Sequence, residues 1–378
     1  MRLVGVACDA ALVTLPLSPT GRRLWHPAWT VAAVTLSALV AAAAFRSSTG
    51  ALMEPIEMEF GWTRTVTSGA VSLNLVLYGL TAPFAAAVME RWGVRRTVTL
   101  ALLAVGGASA LTTVMRTPWQ LWLLWGVVIG IGTGAMALVL GAIVANRWFV
   151  RHRGLVVGIF SAANATGQLI FLPAIAHLAT GPGWRYAAGL VAVLALACAA
   201  LVGFLLVDDP RHRGQLPYGA EPGYAPPALA AGESPAAAAL RVLRTASHRW
   251  SFWALVGTFW VCGWSTNGLV QTHFIPAAHD HGMPEGTAAG LLAVVGIFDI
   301  VGTIASGWLT DRVDPRLLLA VYYGGRGISL LVVQSVLAPT VALPTWAFIV
   351  FYGLDWVATV PPTVALCRRH FGIADSGI

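Results

Sequence analysis

Asp299, Arg326 and Asp355 stand where ionisable groups are least at home. Each falls near the middle of an apolar run of 22 residues: Asp299 in 288–309, Arg326 in 317–338 and Asp355 in 345–366. A helix of that length spans roughly 30 Å, the hydrocarbon thickness of a bilayer. An ionisable group at such a depth is costly, so it marks a pathway or is paired. A carboxylate stripped of water favours its protonated form. Asp299 and Asp355 could therefore load a proton on one side and release it on the other. The alternative is a fixed ion pair with Arg326. Arg46 follows an 18-residue apolar stretch. It suits either the attraction of an anion or a charge snorkelling to the outer mouth.

Polar stripes accompany these charges. Ser161, Asn164 and Gln168 follow i, i+3 and i+7, on one helix face. Trp260, Trp264, Asn267 and Gln271 follow i, i+4, i+7 and i+11 on another helix. Such stripes either line a cavity or hydrogen-bond between helices. His273, His279 and His281 surround Asp280 without a standard metal spacing, so a solvated loop is expected there and no metal. Cys8, Cys198, Cys262 and Cys367 are scattered and read as free thiols. Gly130, Gly132 and Gly134 have no strand before them, which argues against a nucleotide loop. No Ser/His/Asp grouping or HExxH motif falls in the apolar runs, so an enzyme is not expected and no cofactor is implied.

The elements that must position these residues follow from composition. Hydrophobic residues are 57% of 378 and charged residues 10%, with mean hydropathy +0.74. Soluble domains carry roughly 25% charged residues. The chain is therefore read as an all-α polytopic membrane protein whose solvent is largely the lipid bilayer. Ten segments are predicted, beginning at Pro27, Thr67, Thr97, Trp119, Gly154, Arg185, Phe252, Ala288, Leu317 and Thr345. All 23 basic residues are arginine. With the N-terminus inside, the outer loops hold only Arg64, Arg116 and Arg185, and nearly all the rest fall inside. That asymmetry orients the chain and explains the net charge of +7 without nucleic acid. The predicted organisation is a cytoplasmic tail (1–26), a six-helix bundle (27–207), a linker (208–249) rich in proline and glycine, and a second bundle (250–378). Within the linker, 236–249 could lie along the membrane as a short helix.

Two charged turns echo each other. Glu90, Arg91, Gly93, Arg95 and Arg96 separate the second and third segments. Gly307, Asp311, Arg312, Asp314 and Arg316 separate the eighth and ninth. A unit of about six helices used twice is the plan of secondary transporters. On these turns the chain resembles the major facilitator superfamily, whose loop between helices 2 and 3 reads Gly-x-x-x-Asp-Arg-x-Gly-x-Arg. Phe60-Gly61-Trp62-Thr63-Arg64, Arg151-His152-Arg153-Gly154-Leu155 and Phe298-Asp299-Ile300-Val301-Gly302 make it similar to the monocarboxylate and oxalate–formate carrier branch. In monocarboxylate carriers an arginine follows the helix-8 aspartate by one turn, whereas Thr303 stands here.

The resemblance implies a two-bundle transporter with six and four of an expected six and six helices visible, truncated before helices 11 and 12. It implies a monomer in the plasma membrane, moving a small organic anion with protons by alternating access. The substrate and proton would meet Arg46, Asp299, Asp355, Arg326, Asn164, Gln168, Asn267 and Gln271. The turn residues would gate the inner face, Glu90 or Asp311 pairing with arginines and with a helix end across the halves. A drug or metabolite exporter of the same superfamily and a non-transporting remnant are the alternatives.

Overall fold

Ten helical segments succeed one another, as the apolar runs predict. The computed structural model describes residues 26–222, 224 and 235–371. The segments are α1 (Pro27–Phe60), α2 (Arg64–Trp92), α3 (Val94–Thr112), α4 (Pro118–Trp148), α5 (Arg153–Leu178), α6 (Trp184–Leu205), α7 (250–280), α8 (Glu285–Thr310), α9 (Pro315–Val336) and α10 (Leu343–Phe371). Among the described residues, nine of these are long and apolar enough to cross a membrane. The predicted N-terminal tail, residues 225–234 and the side chains of Arg46 and Asn267 lie outside the described part.

Helix α1 runs 34 residues without a break, although its membrane-grade stretch ends at Phe45. His26 caps it, its ring Nδ1 accepting from the Ala28 N–H at 3.2 Å. Proline at the first helical position, Pro27, sacrifices no hydrogen bond there. The extension past Arg46 carries Glu57 and Glu59 toward the α1–α2 turn. Glu59 accepts from Arg185 (2.6 Å) and from the Trp184 indole (2.7 Å). Those partners hold its carboxyl below the usual carboxylate range.

Helix α4 packs on α2 through its glycine row. An added Cβ at Gly134 would meet the Tyr78 carbonyl at 2.7 Å, and one at Gly130 would meet the Asn74 Cα at 3.1 Å. Small residues at four-residue spacing let two backbones approach. The row Gly126, Gly130 and Gly134 is thus a packing face. Two helices widen locally into π-turns, α4 at Trp122–Ile129 and α7 at Trp264–Gln271. Such turns often mark working regions.

Helix α10 is interrupted. Its halves, Leu343–Asp355 and Val360–Phe371, are joined by a turn at 356–359. Pro361 and Pro362 account for this: proline has no N–H and its ring displaces the carbonyl four residues back. The backbone groups of 355–358 must then find other partners.

Buried apolar residues gather in two clusters. One runs from Ala28 to Leu206 through α1–α6, and the other from Val270 to Tyr352 through the later helices. Between them, the start of the predicted loose linker is folded. Tyr218 pairs with the α4–α5 loop: its N–H donates to Trp148 O (2.8 Å) and its carbonyl accepts from Val150 N–H (2.9 Å). Its ring packs edgewise on Trp29 and His26. The helix Pro235–Ser247 buries Ala239, Val242 and Ala246 and packs against α2. Its apolar face therefore meets protein, where lipid was expected.

Candidate functional site

A cavity of about 300 Å³ opens between the two groups of helices. Leu39, Ala42 and Ala43 of α1, Tyr78 of α2 and Thr133 of α4 form part of its wall. Helix α5 contributes Val157, Phe160, Ser161 and Asn164, which follow i, i+3, i+4 and i+7 and so share one face. Helix α7 contributes Phe259, Cys262, Gly263 and Thr266 at the same spacing. Asp299 of α8 and Trp356 and Val357 at the α10 break complete it. Among the described lining residues, Asp299 is the one charged group.

The α5–α8 seam sets the depth of Asp299. A Cβ on Gly154 would meet the Gly307 carbonyl at 2.5 Å, and one on Gly158 the Thr303 carbonyl at 2.7 Å. In this antiparallel register Asp299 comes level with Ala162, between Ser161 and Asn164. The side chain is 2% exposed. Its Oδ1 accepts from the Thr303 hydroxyl (2.8 Å) and from the Val357 N–H (3.1 Å). No cation pairs with it among the described residues. Thr303, which stands where the resembled carriers have arginine, thus supplies a neutral donor.

Arg326 and Asp355 have a different setting. Arg326 is 2% exposed and Asp355 3% exposed, and neither lines the cavity. Arg326 Nε donates to Asp355 Oδ2 at 2.7 Å. Its Nη2 donates to the Asp355 and Trp356 carbonyls at 2.5 and 2.9 Å. Its Nη1 reaches Cys262 Sγ (3.1 Å) and Ser265 Oγ (3.3 Å). The Ser306 hydroxyl donates to the Ala358 carbonyl at 2.5 Å. The groups freed by the α10 break are therefore met by Arg326, Ser306 and Asp299. Arg326 and Asp355 thus form the fixed pair that the sequence kept as an alternative, and together they clamp a broken helix. Asp355 Oδ1 has no hydrogen-bond partner among the described residues.

The polar stripes divide. Ser161 and Asn164 line the cavity, while Gln168, half-buried, does not. On α7, Trp260, Trp264 and Gln271 are exposed, while Phe259, Cys262, Gly263 and Thr266 on the neighbouring face line the cavity. An amide is the more visible signal in a sequence, yet a cavity wall needs room. Arg46 lies one turn beyond Ala42 on α1. Cys262, Thr266, Trp356 and Val357 carry no sequence signal beyond the spacing of the first two and the nearby Pro361-Pro362.

Both charged turns lie at one end of the molecule, here termed the Arg-rich face. Asp311 crosses between the halves: its Oδ1 accepts from the Gly154 N–H (2.7 Å) and its Oδ2 from Leu155 N–H (3.0 Å). A carboxylate there meets the unpaired donors and positive dipole end of α5. Glu90 instead pairs within its own half with Arg147 at 2.6 Å. Asp208 accepts from the Arg95 N–H at 2.6 Å. Arg312 lies over the Trp308 ring, 3.8 Å from its centroid. Asp314 caps α9 by accepting from the Arg316 N–H at 2.9 Å. Arg91 and Arg96 are exposed on the same face.

Long apolar helices, a seam of glycines and a cavity with one buried carboxylate on its wall define a helical membrane protein with a central cleft. The sequence model of the Major Facilitator Superfamily matches residues 34–377, and the chain belongs to that superfamily. It is 24% identical to the MFS-type transporter YcxA of Bacillus subtilis over 91% of this chain and 80% of that one. It is 28% identical to monocarboxylate transporter 11 of Mus musculus over 83% of this chain, spanning 66% of that carrier's length. Among solved structures, the proton:xylose symporter XylE superposes with TM-score 0.66 at 14% identity, covering 93% of this chain and 85% of that one. The Escherichia coli fucose:proton symporter FucP gives TM-score 0.66 at 16%, covering 93% and 87%. The protein therefore sits in a bilayer and carries a small molecule.

Proposed function

We propose that the chain is a secondary transporter of the plasma membrane that moves a small organic anion together with a proton. In this reading it works by alternating access, with the Arg-rich face toward the cytoplasm. The observation that carries it is Asp299, a carboxylate on the wall of the cavity with no ion-pair partner among the described residues. An anion entering that cavity meets like charge, and repulsion at close range in a poorly solvated site is large. A proton on Asp299 removes it, so anion and proton enter together. Similarity to monocarboxylate transporter 11 of Mus musculus and Homo sapiens supports the anion, and Arg46 is the group assigned to attract it from outside. Arg326 with Asp355 contributes a neutral pair, leaving Asp299 as the acid free to load.

The test is uptake into vesicles holding the purified chain, with an imposed pH gradient and a panel of monocarboxylates, dicarboxylates and cationic dyes. Carboxylate accumulation that collapses with a proton ionophore is expected. Accumulation of dyes alone would move the protein to the exporters.

A further inference from the structure

The cavity holds more than a two- or three-carbon acid needs. At roughly 30 Å³ per water-sized group, about 300 Å³ accommodates about ten non-hydrogen atoms. Its chemistry is uneven. Ser161, Asn164 and Asp299 form a polar band at one depth, set by the α5–α8 register. Phe160, Phe259 and Trp356 line the same space, Phe160 as a nearly buried wall and Phe259 as the most open of the three. Phe160 and Phe259 pair with no other ring among the described residues, and Trp356 meets Tyr352 only edgewise, 5.5 Å between centroids at 78°. Aromatic side chains without aromatic partners around an open volume favour a flat guest, because offset and edge-to-face contacts are what such rings satisfy best. A small hydrophilic acid would lose water against these walls and gain little in return.

We propose that the substrate is a monocarboxylate bearing a planar ring, an arylacetate or benzoate in size. Its ring lies among Phe160, Phe259 and Trp356, and its carboxylate meets Asn164 and the protonated Asp299. This rests on the reading above that a carboxylate is carried. Phe160 gives the ring wall its buried side, one turn below Asn164 on the same face of α5. Phe259, on the cavity wall of α7, is 40% exposed, so its truncation leaves no large hole in a buried core.

The experiment is pH-driven uptake of phenylacetate, benzoate, acetate and lactate into vesicles, for the wild type and for Phe259→Ala and Phe160→Leu. Phenylacetate is expected to enter at a KM at least about tenfold below that of acetate. Phe259→Ala should raise the phenylacetate KM about threefold to tenfold, the worth of one ring contact, and raise the acetate KM by distinctly less. Acetate or lactate preferred over phenylacetate would overturn the ring assignment while leaving the anion reading intact. No carboxylate uptake, with dyes accumulating, would defeat the anion reading itself. Phe160→Leu guards against a folding artefact: equal loss for all four acids in both variants would also count against a ring wall.

Discussion

Among single residues, one carboxylate is left to the cavity and one is consumed by structure. Asp299 accepts both of its hydrogen bonds through Oδ1, which an asparagine oxygen can still do. Asp299→Asn should therefore fold, exchange substrate across the membrane, and fail to accumulate it against a gradient. Parallel exchange and gradient-driven uptake assays check this. Arg326 is different, because it neutralises Asp355 and satisfies two backbone carbonyls. Removing one partner of a buried pair costs about 3–5 kcal/mol. Arg326→Met should then leave little folded protein after detergent extraction, measured by thermal shift and size exclusion. Asp355→Asn, which keeps a hydrogen-bond acceptor, should be milder. The sequence located both acids at mid-membrane by counting along apolar runs. It could not tell which was paired, since that depends on where α9 and α10 cross.

Helices were largely legible from sequence, and their interruptions were not. Apolar runs of about 20 residues, bounded by arginines and turn residues, give ten segments with ends close to those observed. The α10 break was readable in principle from Val360-Pro361-Pro362, but hydropathy passes over proline without comment. The α7 stripe was ambiguous because both its faces have helical spacing, and no local rule says which of them faces the cavity. The linker was read as loose from its prolines, whereas Tyr218 finds a half-buried seat among Trp29, Phe149 and His26. At this scale the break is the part that can be tested. Replacing Pro361 and Pro362 by alanine should let α10 run on as a continuous helix and strand the Arg326 donors. Transport should fall at least about tenfold, while α10 amides gain protection in hydrogen exchange. Unchanged transport with a continuous helix would remove the break from the mechanism.

For the whole molecule, one seam joins the halves at the Arg-rich face, where Gly154 and Gly158 lie against Gly307 and Thr303 and Asp311 caps α5. Contact this close is discrete: the backbones either touch or part. Gly154→Val would place a side chain where the Gly307 carbonyl now lies, 2.5 Å from its Cβ. It should therefore prise that face open. The echo of the two turns in sequence indicated that both lie on one face, and both do. Glu90, however, pairs within its own half, so the echo does not extend to identical partners. The central claim is that the two halves pivot about the cavity holding Asn164 and Asp299. Its most direct measurement is the reactivity of Asn164→Cys toward a membrane-impermeant thiol reagent, in a chain whose four native cysteines are serine. The reagent is applied from each side of sealed vesicles in turn. The account predicts labelling from both sides, with Gly154→Val shifting it toward the Arg-rich face and substrate protecting against both. Labelling confined to one side, indifferent to Gly154→Val and to substrate, would contradict it.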